Sequence, residues 1–521
     1  VDLDFSDLID YLGTDYRTAC ILIYMETLID ARRFMSAARA FARSKPILVL
    51  RSGRSQEGPF EVADSLNWLA PPDVIYSTAF RRAGVLRVDQ VSQLFYCAHA
   101  LAMQPRPRGL RLAVITNAAG PGLLATDYLF DNGGKVAALS DADRAALAKE
   151  GTVLRPAGPA LILTRSATAD DYQRTLARVL KSGDFDGVLV VFTPYTHEDP
   201  VAIAKVVAEA AKGTRKTILA SWMGEEVVHE ARELLESAKV PDYRYPEYAV
   251  DTFLRMYGYH RNLELLQETP DAIPLEQDFQ TETVRDIFKQ VRSEGRTKLS
   301  ETEGRQVLEA YHLPTNPHRV VTETASAVSF AEELGYPVVL KIASPDISDK
   351  STINGVRLNL RDSQDVMLTF VDLIRNTRRL RPKAKIEGVL VEKQLDKQFE
   401  LLLAAKRDPV FGTVLIFGRG GPNAHVYPDI QVGLPPLNQA LARRITERLR
   451  LFPLFSEQNV DGGIDLRALE MTLVRFAYLL MDFPDIEVMS VNPFVVNRDG
   501  GIAVDADIRL TAKPVVQEHA Y

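Results

Sequence analysis

Cysteine is nearly absent: the 521 residues contain two, Cys20 and Cys97. Both lie in apolar helix or strand contexts, which excludes a disulfide framework and fits core filler in a reducing compartment. Long apolar runs are missing as well. None approaches the roughly 18 residues needed to cross a bilayer, no secretory leader is legible at the start, and the expected location is cytoplasmic. Positive charge is in deficit, with a net charge of −7, which argues against a general affinity for nucleic acid or anionic membrane and points to small anionic ligands held by local basic loops. Histidine is scarce, and the first one is His99. What is present is globular: 46% hydrophobic and 25% charged residues exclude a disordered or collagen-like chain, and the length calls for three or four domains.

Residues 1–105 alternate short β-branched strands with helices: "ACILIYM", a helix from Asp30, "PILVL", then helices around Val74 and Val91. Residues 106–267 repeat the plan, with "LRLAVIT", "KVAAL", "GVLVVF" and "KTILASW" as the expected strands. Such alternation predicts parallel sheets wrapped by helices. Residues 268–299 are polar and read as a linker with one exposed helix. From 300 to 521 the grammar changes to a helix, "SETEGRQVLEAYHL", and strands at hairpin spacing, an α+β layout with mostly antiparallel sheets. The opening "VDLDFSDLIDYL" starts without methionine inside an amphipathic helix, so sequence is expected before Val1.

Two loops carry candidate chemistry. In "LRSGRS", Ser52, Gly53 and Arg54 sit at the carboxyl end of a predicted strand, where open parallel sheets bind ligands. Backbone N–H groups, hydroxyls and a guanidinium there make either an anion cradle or an ordinary strand-to-helix turn. In "VITNAAGPGLLATD", Asn117, Gly120 and Gly122 lie between a strand and a helix whose N-terminus favours an anion, although the glycine spacing is not a dinucleotide fingerprint. Two such loops in adjacent domains suggest one shared phosphoryl site; a tight turn is the other reading. Trp222 in "LASWMGEE" reads as a core aromatic close to the second loop. His99, His197, His229, His260 and His312 fall on helices or helix ends without partners at ligand spacing.

The phrases "DARRFMSAARAFARSKPILVLRSGRS", "AFRRAGVLRV", "TNAAGPGLLATD", "LASWMGEE", "VVLKIASPDI", "RDPVFGTVLIFGRGG" and "VNPF" resemble those of the ADP-forming acyl-CoA synthetases, the acetate-CoA ligases and relatives of succinyl-CoA synthetase. The resemblance is closest to the synthetase-like region of bacterial GNAT-type protein lysine acetyltransferases. It implies two flavodoxin-like doubly wound parallel-sheet domains followed by an α+β ATP-grasp domain. It also implies a CoA-binding domain before Val1, a fused acetyltransferase domain after Tyr521, and a chain able to form a homo-oligomer.

In that family ATP phosphorylates a histidine, which exchanges the group with an acyl phosphate; a neutral imidazole nitrogen suits the task near pH 7. An ungapped count back from "AFRRAG" puts Ser65 at the histidine position, and a hydroxyl without a neighbouring base is a poor nucleophile. Asp349, in "DISDK", replaces a second family histidine, and "GPAL" sets Gly158 and Leu161 at the polar positions of an Asn-Pro-Val-Asp turn. For ATP the resemblance implies contacts at Lys341, Gly355, Glu392, Glu400, Gly420 and Gly421, with residues 391–394 as an adenine hinge altered by Lys393 and Gln394. For Mg²⁺ it implies Asn492 and Asp505, with Ser490 and His425 standing where the family has acidic residues. The expected function is a catalytically degenerate module that senses nucleotide (ATP or ADP) and acyl-CoA or CoA and regulates a lysine acetyltransferase. The alternatives are an active ADP-forming acetate-CoA ligase, and an ATP-grasp ligase that uses an acyl phosphate directly.

Overall fold

The structure, a computed structural model, describes residues 3–54, 70–135, 137–150, 153–155, 160–195, 198–267, 278–347, 350–396, 399–421, 424, 428–455, 464–497 and 500–515. These form two compact units, one holding residues up to 54 with 79–267, the other holding 70–78 with 278–515.

The first unit contains two sheets. Strands β1 (Ile21–Met25), β2 (Ile47–Arg51) and β3 (Leu86–Val88) pair in parallel in that order. The helix Ala31–Phe41 starts where the Asp30 carboxylate accepts a hydrogen bond from the Arg33 N–H at 2.9 Å, a cap worth about 1 kcal/mol. The second sheet, ordered β5-β6-β4-β7-β8, comprises β4 (Leu112–Thr116), β5 (Val153–Arg155), β6 (Ala160–Leu163), β7 (Gly187–Phe192) and β8 (Thr217–Trp222). All its pairings are parallel except that of the edge strand β5. Both faces are covered. Ala113 and Ile115 of β4 join one apolar core, and Leu112 and Val114 join the other, as the alternation of a strand buried on two sides requires.

One expected strand is different. Among the described residues of "KVAAL" Lys135 alone forms a bridge, to Arg111, and the place beside β4 goes to "ALIL" of β6, every residue of which is buried. Four branched or small apolar side chains enclosed on both faces outweigh a segment that begins with a lysine.

The second unit also has two sheets. Strands β9 (His318–Val321), β10 (Val338–Ala343), β11 (Val356–Leu360) and β12 (Gly388–Lys393) form an antiparallel sheet ordered β11-β10-β12-β9, packed on the helices Thr324–Leu334 and Ser363–Leu380. Strands β13 (Phe399–Asp408), β14 (Gly412–Arg419), β15 (Ile430–Gly433), β16 (Ile486–Asn497), β17 (Gly500–Ala503) and β18 (Asp507–Leu510) form the larger antiparallel sheet. Its core includes residues of the helices Glu301–Ala310, Gln439–Glu447 and Leu466–Asp482. The helix Thr281–Ser293, expected to be exposed, turns Val284, Phe288 and Val291 into that core; their spacing of four and three residues makes one apolar stripe. Among the described residues no helix is long and apolar enough to cross a membrane.

Candidate active site

Strand β10 carries Lys341 into the interior of the second unit, and β12, paired with it, carries Glu392. The Lys341 ammonium lies 2.7 Å from Glu392 Oε1 and donates to the Val504 carbonyl at 3.0 Å. Arg305 enters from the helix Glu301–Ala310 with a fully buried side chain. Its Nη2 contacts Glu392 Oε2 at 2.7 Å, Glu301 Oε1 at 2.6 Å and the Val504 carbonyl at 2.5 Å, while Nη1 donates to the Asn316 carbonyl at 3.0 Å. Lys350 pairs with the other Glu301 oxygen. With Asp505, three cations face three carboxyl groups, the balance that burial of charge demands.

Charge in this cluster is unevenly satisfied. Burial alone would raise the pKa of Glu301, but Lys341, Lys350 and Arg305 outweigh it and hold the carboxyl well below its ordinary range. Burial would likewise lower Lys341, yet Glu392 and Glu301 raise it. Asp505 goes the other way: burial first, then the Glu301 charge, push its pKa up despite the three cations. Asp505 is therefore the acid of this cluster that a further cation would serve most.

A second group of expected residues meets where β14 ends. Gly420 donates its N–H to the Glu400 carbonyl at 2.9 Å, and Gly421 donates to Asn492 Oδ1 at 2.9 Å. A side chain at Gly420 would put Cβ 2.4 Å from the Leu401 carbonyl oxygen; at Gly421, with φ +83°, it would lie 2.5 Å from Glu400 Oε2. Only glycine fits such approaches. The two groups are joined through the backbone, because the Val504 N–H donates to the Pro493 carbonyl at 3.2 Å, which ties the residue after Asn492 to the residue before Asp505. Gly355 serves β10: its carbonyl accepts from the Ile342 N–H at 2.9 Å, its N–H donates to the Lys350 carbonyl at 2.6 Å, and a Cβ would sit 2.8 Å from Ile342 Cγ2.

The expected hinge is internally committed. The Glu392 carboxylate belongs to Lys341 and Arg305, the Lys393 ammonium donates to the Gly335 carbonyl at 2.6 Å, and the Gln394 side-chain oxygen accepts from the Asn359 N–H at 2.6 Å. Glu301, Lys350, Asp505, Ser300 and Ser344 border a cavity of about 70 Å³, well below the several hundred Å³ of a small-molecule pocket. Sequence reading missed Glu301, Arg305 and Lys350. A signal existed for two of them: Glu301, Arg305 and Leu308 share one helix face, so a glutamate and an arginine occupy a stripe that leads into the core.

The anion loops lie in the first unit on separate sheets. Ser52 and Gly53, with φ +79°, follow β2, and Arg54 reaches Asp89 at 3.5 Å. After β4 the helix Ala119–Asp131 starts at Ala118, whose side chain makes no capping hydrogen bond. Gly122 lets that helix lie close to the sheet, since a Cβ would meet Thr116 Cγ2 at 2.6 Å. Asn117 is spent on structure: its amide donates to the Thr193 carbonyl at 2.8 Å and its oxygen accepts from the Thr193 N–H at 3.0 Å. Trp222 is fully buried, 5.8 Å from the Phe192 ring. Leu161 is a buried residue of β6. Ser65, Asp349, Gly158, His197 and His425 lie outside the described residues. Among the described residues no three His, Cys, Asp or Glu side chains converge as a metal site.

Comparison with known proteins agrees with this layout. The model of the succinyl-CoA ligase-like flavodoxin domain matches residues 1–101 and that of the ATP-grasp domain matches 290–510. The acetate-CoA ligase [ADP-forming] I of Archaeoglobus fulgidus is 31% identical over 507 residues, which span 96% of this chain and 72% of the relative. The chain belongs to the ADP-forming acyl-CoA ligase family. Another such ligase, the 4-hydroxybutyrate-CoA ligase [ADP-forming] of Nitrosopumilus maritimus, is 31% identical over 510 residues, 97% of this chain and 72% of the relative. The β subunit of the Pyrococcus furiosus acetate-CoA ligase [ADP-forming] I is 30% identical over 222 residues, 43% of this chain and 95% of that subunit. Within this ligase family, flavodoxin-like parallel-sheet domains followed by an ATP-grasp domain are the architecture that the sequence led one to expect. None of these three relatives is an acetyltransferase by name.

Proposed function

We propose that this chain is the nucleotide-handling core of an ADP-forming acyl-CoA ligase, serving the reaction of ATP, CoA and a carboxylic acid to acyl-CoA, ADP and phosphate. The observation that carries this reading is the buried Lys341–Glu392–Arg305 cluster joined through Pro493 and Val504 to the Gly420–Gly421–Asn492 turn. In it Lys341 offers a positive charge for nucleotide phosphates. Gly420 and Gly421 keep side chains out of the space beside Glu400 and Asn492. Asn492 and Asp505 suit Mg²⁺: they offer two hard oxygens, and burial penalises the Asp505 charge that a divalent cation would neutralise, the remaining ligands coming from water and phosphates. Bound there, Mg²⁺ would neutralise phosphate charge. CoA and the acid are the other substrates that the named relatives support.

A second reading is favoured by one observation, Ser65 and Asp349 at the histidine positions. In it the module binds nucleotide and acyl-CoA without turnover and regulates an acetyltransferase joined to it. Incubation of the purified chain with terminally labelled ATP, acetate and CoA separates the two. The ligase reading expects acetyl-CoA and ADP. The regulatory reading expects ADP binding, abolished by Lys341→Met, with neither product. Absence of ADP binding as well would remove both.

A further inference from the structure

A cavity of about 840 Å³ lies in the first unit, lined by none of the anion-loop residues described above. It opens at the amino ends of the strands: Arg111 precedes β4, Asp186 precedes β7, and Arg215 and Lys216 precede β8. The anion loops after β2 and β4 are at the opposite, carboxyl ends. In a chain of net charge −7, this concavity gathers Arg43, Arg106, Arg108, Arg111, Arg215 and Lys216, and Asp186 is the one acid among the described residues lining it.

That acid is already used. Asp186 accepts two bonds from the Arg111 guanidinium, both at 2.9 Å, and one from the Arg111 N–H at 3.0 Å. Lys216 is held half-buried in the wall by donation to the Val179 carbonyl at 3.3 Å and to the Ser182 carbonyl. Among the described residues Arg43, Arg108 and Arg215 have no carboxylate within ion-pair distance. The wall is rigid: Tyr259 is buried with its hydroxyl donating to the Ala42 carbonyl at 2.5 Å, and Gln104 donates to the Lys239 carbonyl at 2.5 Å while accepting from the Ile218 N–H at 2.9 Å. His260 shows the same field. Burial first, then Arg106 and Arg108, lowers its pKa although Glu264 opposes them.

Like charges held on a firm concave wall repel unless an anion joins them, and the volume suits a nucleotide-sized molecule. We propose that this cavity is a binding site for a small phosphate-rich anion, either an inorganic polyphosphate or the polyphosphate of a nucleotide or CoA, separate from the ligase site. The guanidiniums supply bidentate contacts to phosphate oxygens, and Lys216 supplies a point charge at the wall.

Calorimetric titration of the full chain with tripolyphosphate, ADP and CoA in about 0.15 M salt tests this. Saturable tripolyphosphate binding is expected in the wild type and in Lys341→Met, weakened at least about tenfold by the pair Arg108→Glu and Arg215→Glu, two reversals at screened, exposed positions. The pair Arg108→Gln and Arg215→Gln should weaken it by less. If ADP or CoA binds this site more tightly than tripolyphosphate, with the same sensitivity to the arginine pair, the natural ligand carries a nucleoside. No saturable binding of any of the three anions, or binding indifferent to both arginine pairs in proteins with wild-type thermal unfolding, overturns the proposal.

Discussion

Replacing Glu392 by Gln tests whether the buried charge cluster holds the second unit together. The substitution keeps the shape of the side chain and removes one charge that faces two cations, each 2.7 Å away. Arg305 retains Glu301 at 2.6 Å, but Lys341 is left with Glu301 at 3.7 Å, so three cations then face two carboxyl groups. Removing one partner of a buried pair costs about 3–5 kcal/mol, because the stranded charge stays out of water. For a unit of this size each kcal/mol lowers the unfolding midpoint by about 2–4 °C. Glu392→Gln should therefore bring the transition of the second unit down by roughly 6–20 °C. The chain has two units, so calorimetry should resolve separate transitions, and the first unit's should not move. Adding Lys341→Met restores the balance of charge and should recover more than half of the loss, a coupling that only interacting neighbours show. A midpoint that moves by less than about 1 °C, or a double variant no more stable than Glu392→Gln, would refute the argument that paired burial stabilises this cluster.

Other outcomes follow from particular positions. Gly420→Ala should lower stability more than Gly421→Ala, by about 2 kcal/mol against about 1 kcal/mol in urea unfolding, because the clash at 420 is with the Leu401 backbone and that at 421 with the movable end of Glu400. Asp242, buried against the Trp222 N–H and Arg232, has a pKa pushed up to about 7 by burial. The folded chain then holds a proton that the unfolded chain releases, so stability falls as pH rises from about 4 to about 7 and levels off above it. Asp242→Asn should flatten that slope in thermal unfolding of the first unit, and an unchanged slope would contradict the assignment. Burial pushes the Cys20 and Cys97 thiols up to about 12, so neither should react with iodoacetamide at pH 8 in the native state, while both react in urea.

Residues at the ends of elements were legible because each needs a special backbone or a partner close in sequence. Asp30 caps its helix, Gly53 adopts a positive φ, and Ser300 caps the helix that the sequence starts there, all on residue type and spacing that local chemistry explains. Lys341, Glu400, Gly420, Gly421 and Asn492 were marked instead by the resemblance to the acyl-CoA synthetases, since nothing in their local pattern names a ligand. The strand "ALIL" was not separable from "KVAAL" by pattern, since both are short and apolar; only the sheet, with one place free beside β4, discriminates between them. The helix Thr281–Ser293 sat in a polar stretch, so its single apolar stripe could not reveal a core supplied by strands a hundred or more residues away.

By itself the sequence determined the alternation of strands and helices in the first unit, the change to hairpin-spaced antiparallel strands in the second, and the glycine turn after the second strand, because periodicity and turn chemistry act over a few residues. The tertiary structure alone decided which charges became partners. Glu392, Arg305 and the Val504 carbonyl are separated by 87 and 199 residues along the chain from Arg305, and their pairing results from the exclusion of water between packed elements. The same holds for the basic cavity: its arginines come from three separate stretches, at 43, at 106–111 and at 215, and only folding collects them on one wall, where repulsion rather than pairing governs what can bind.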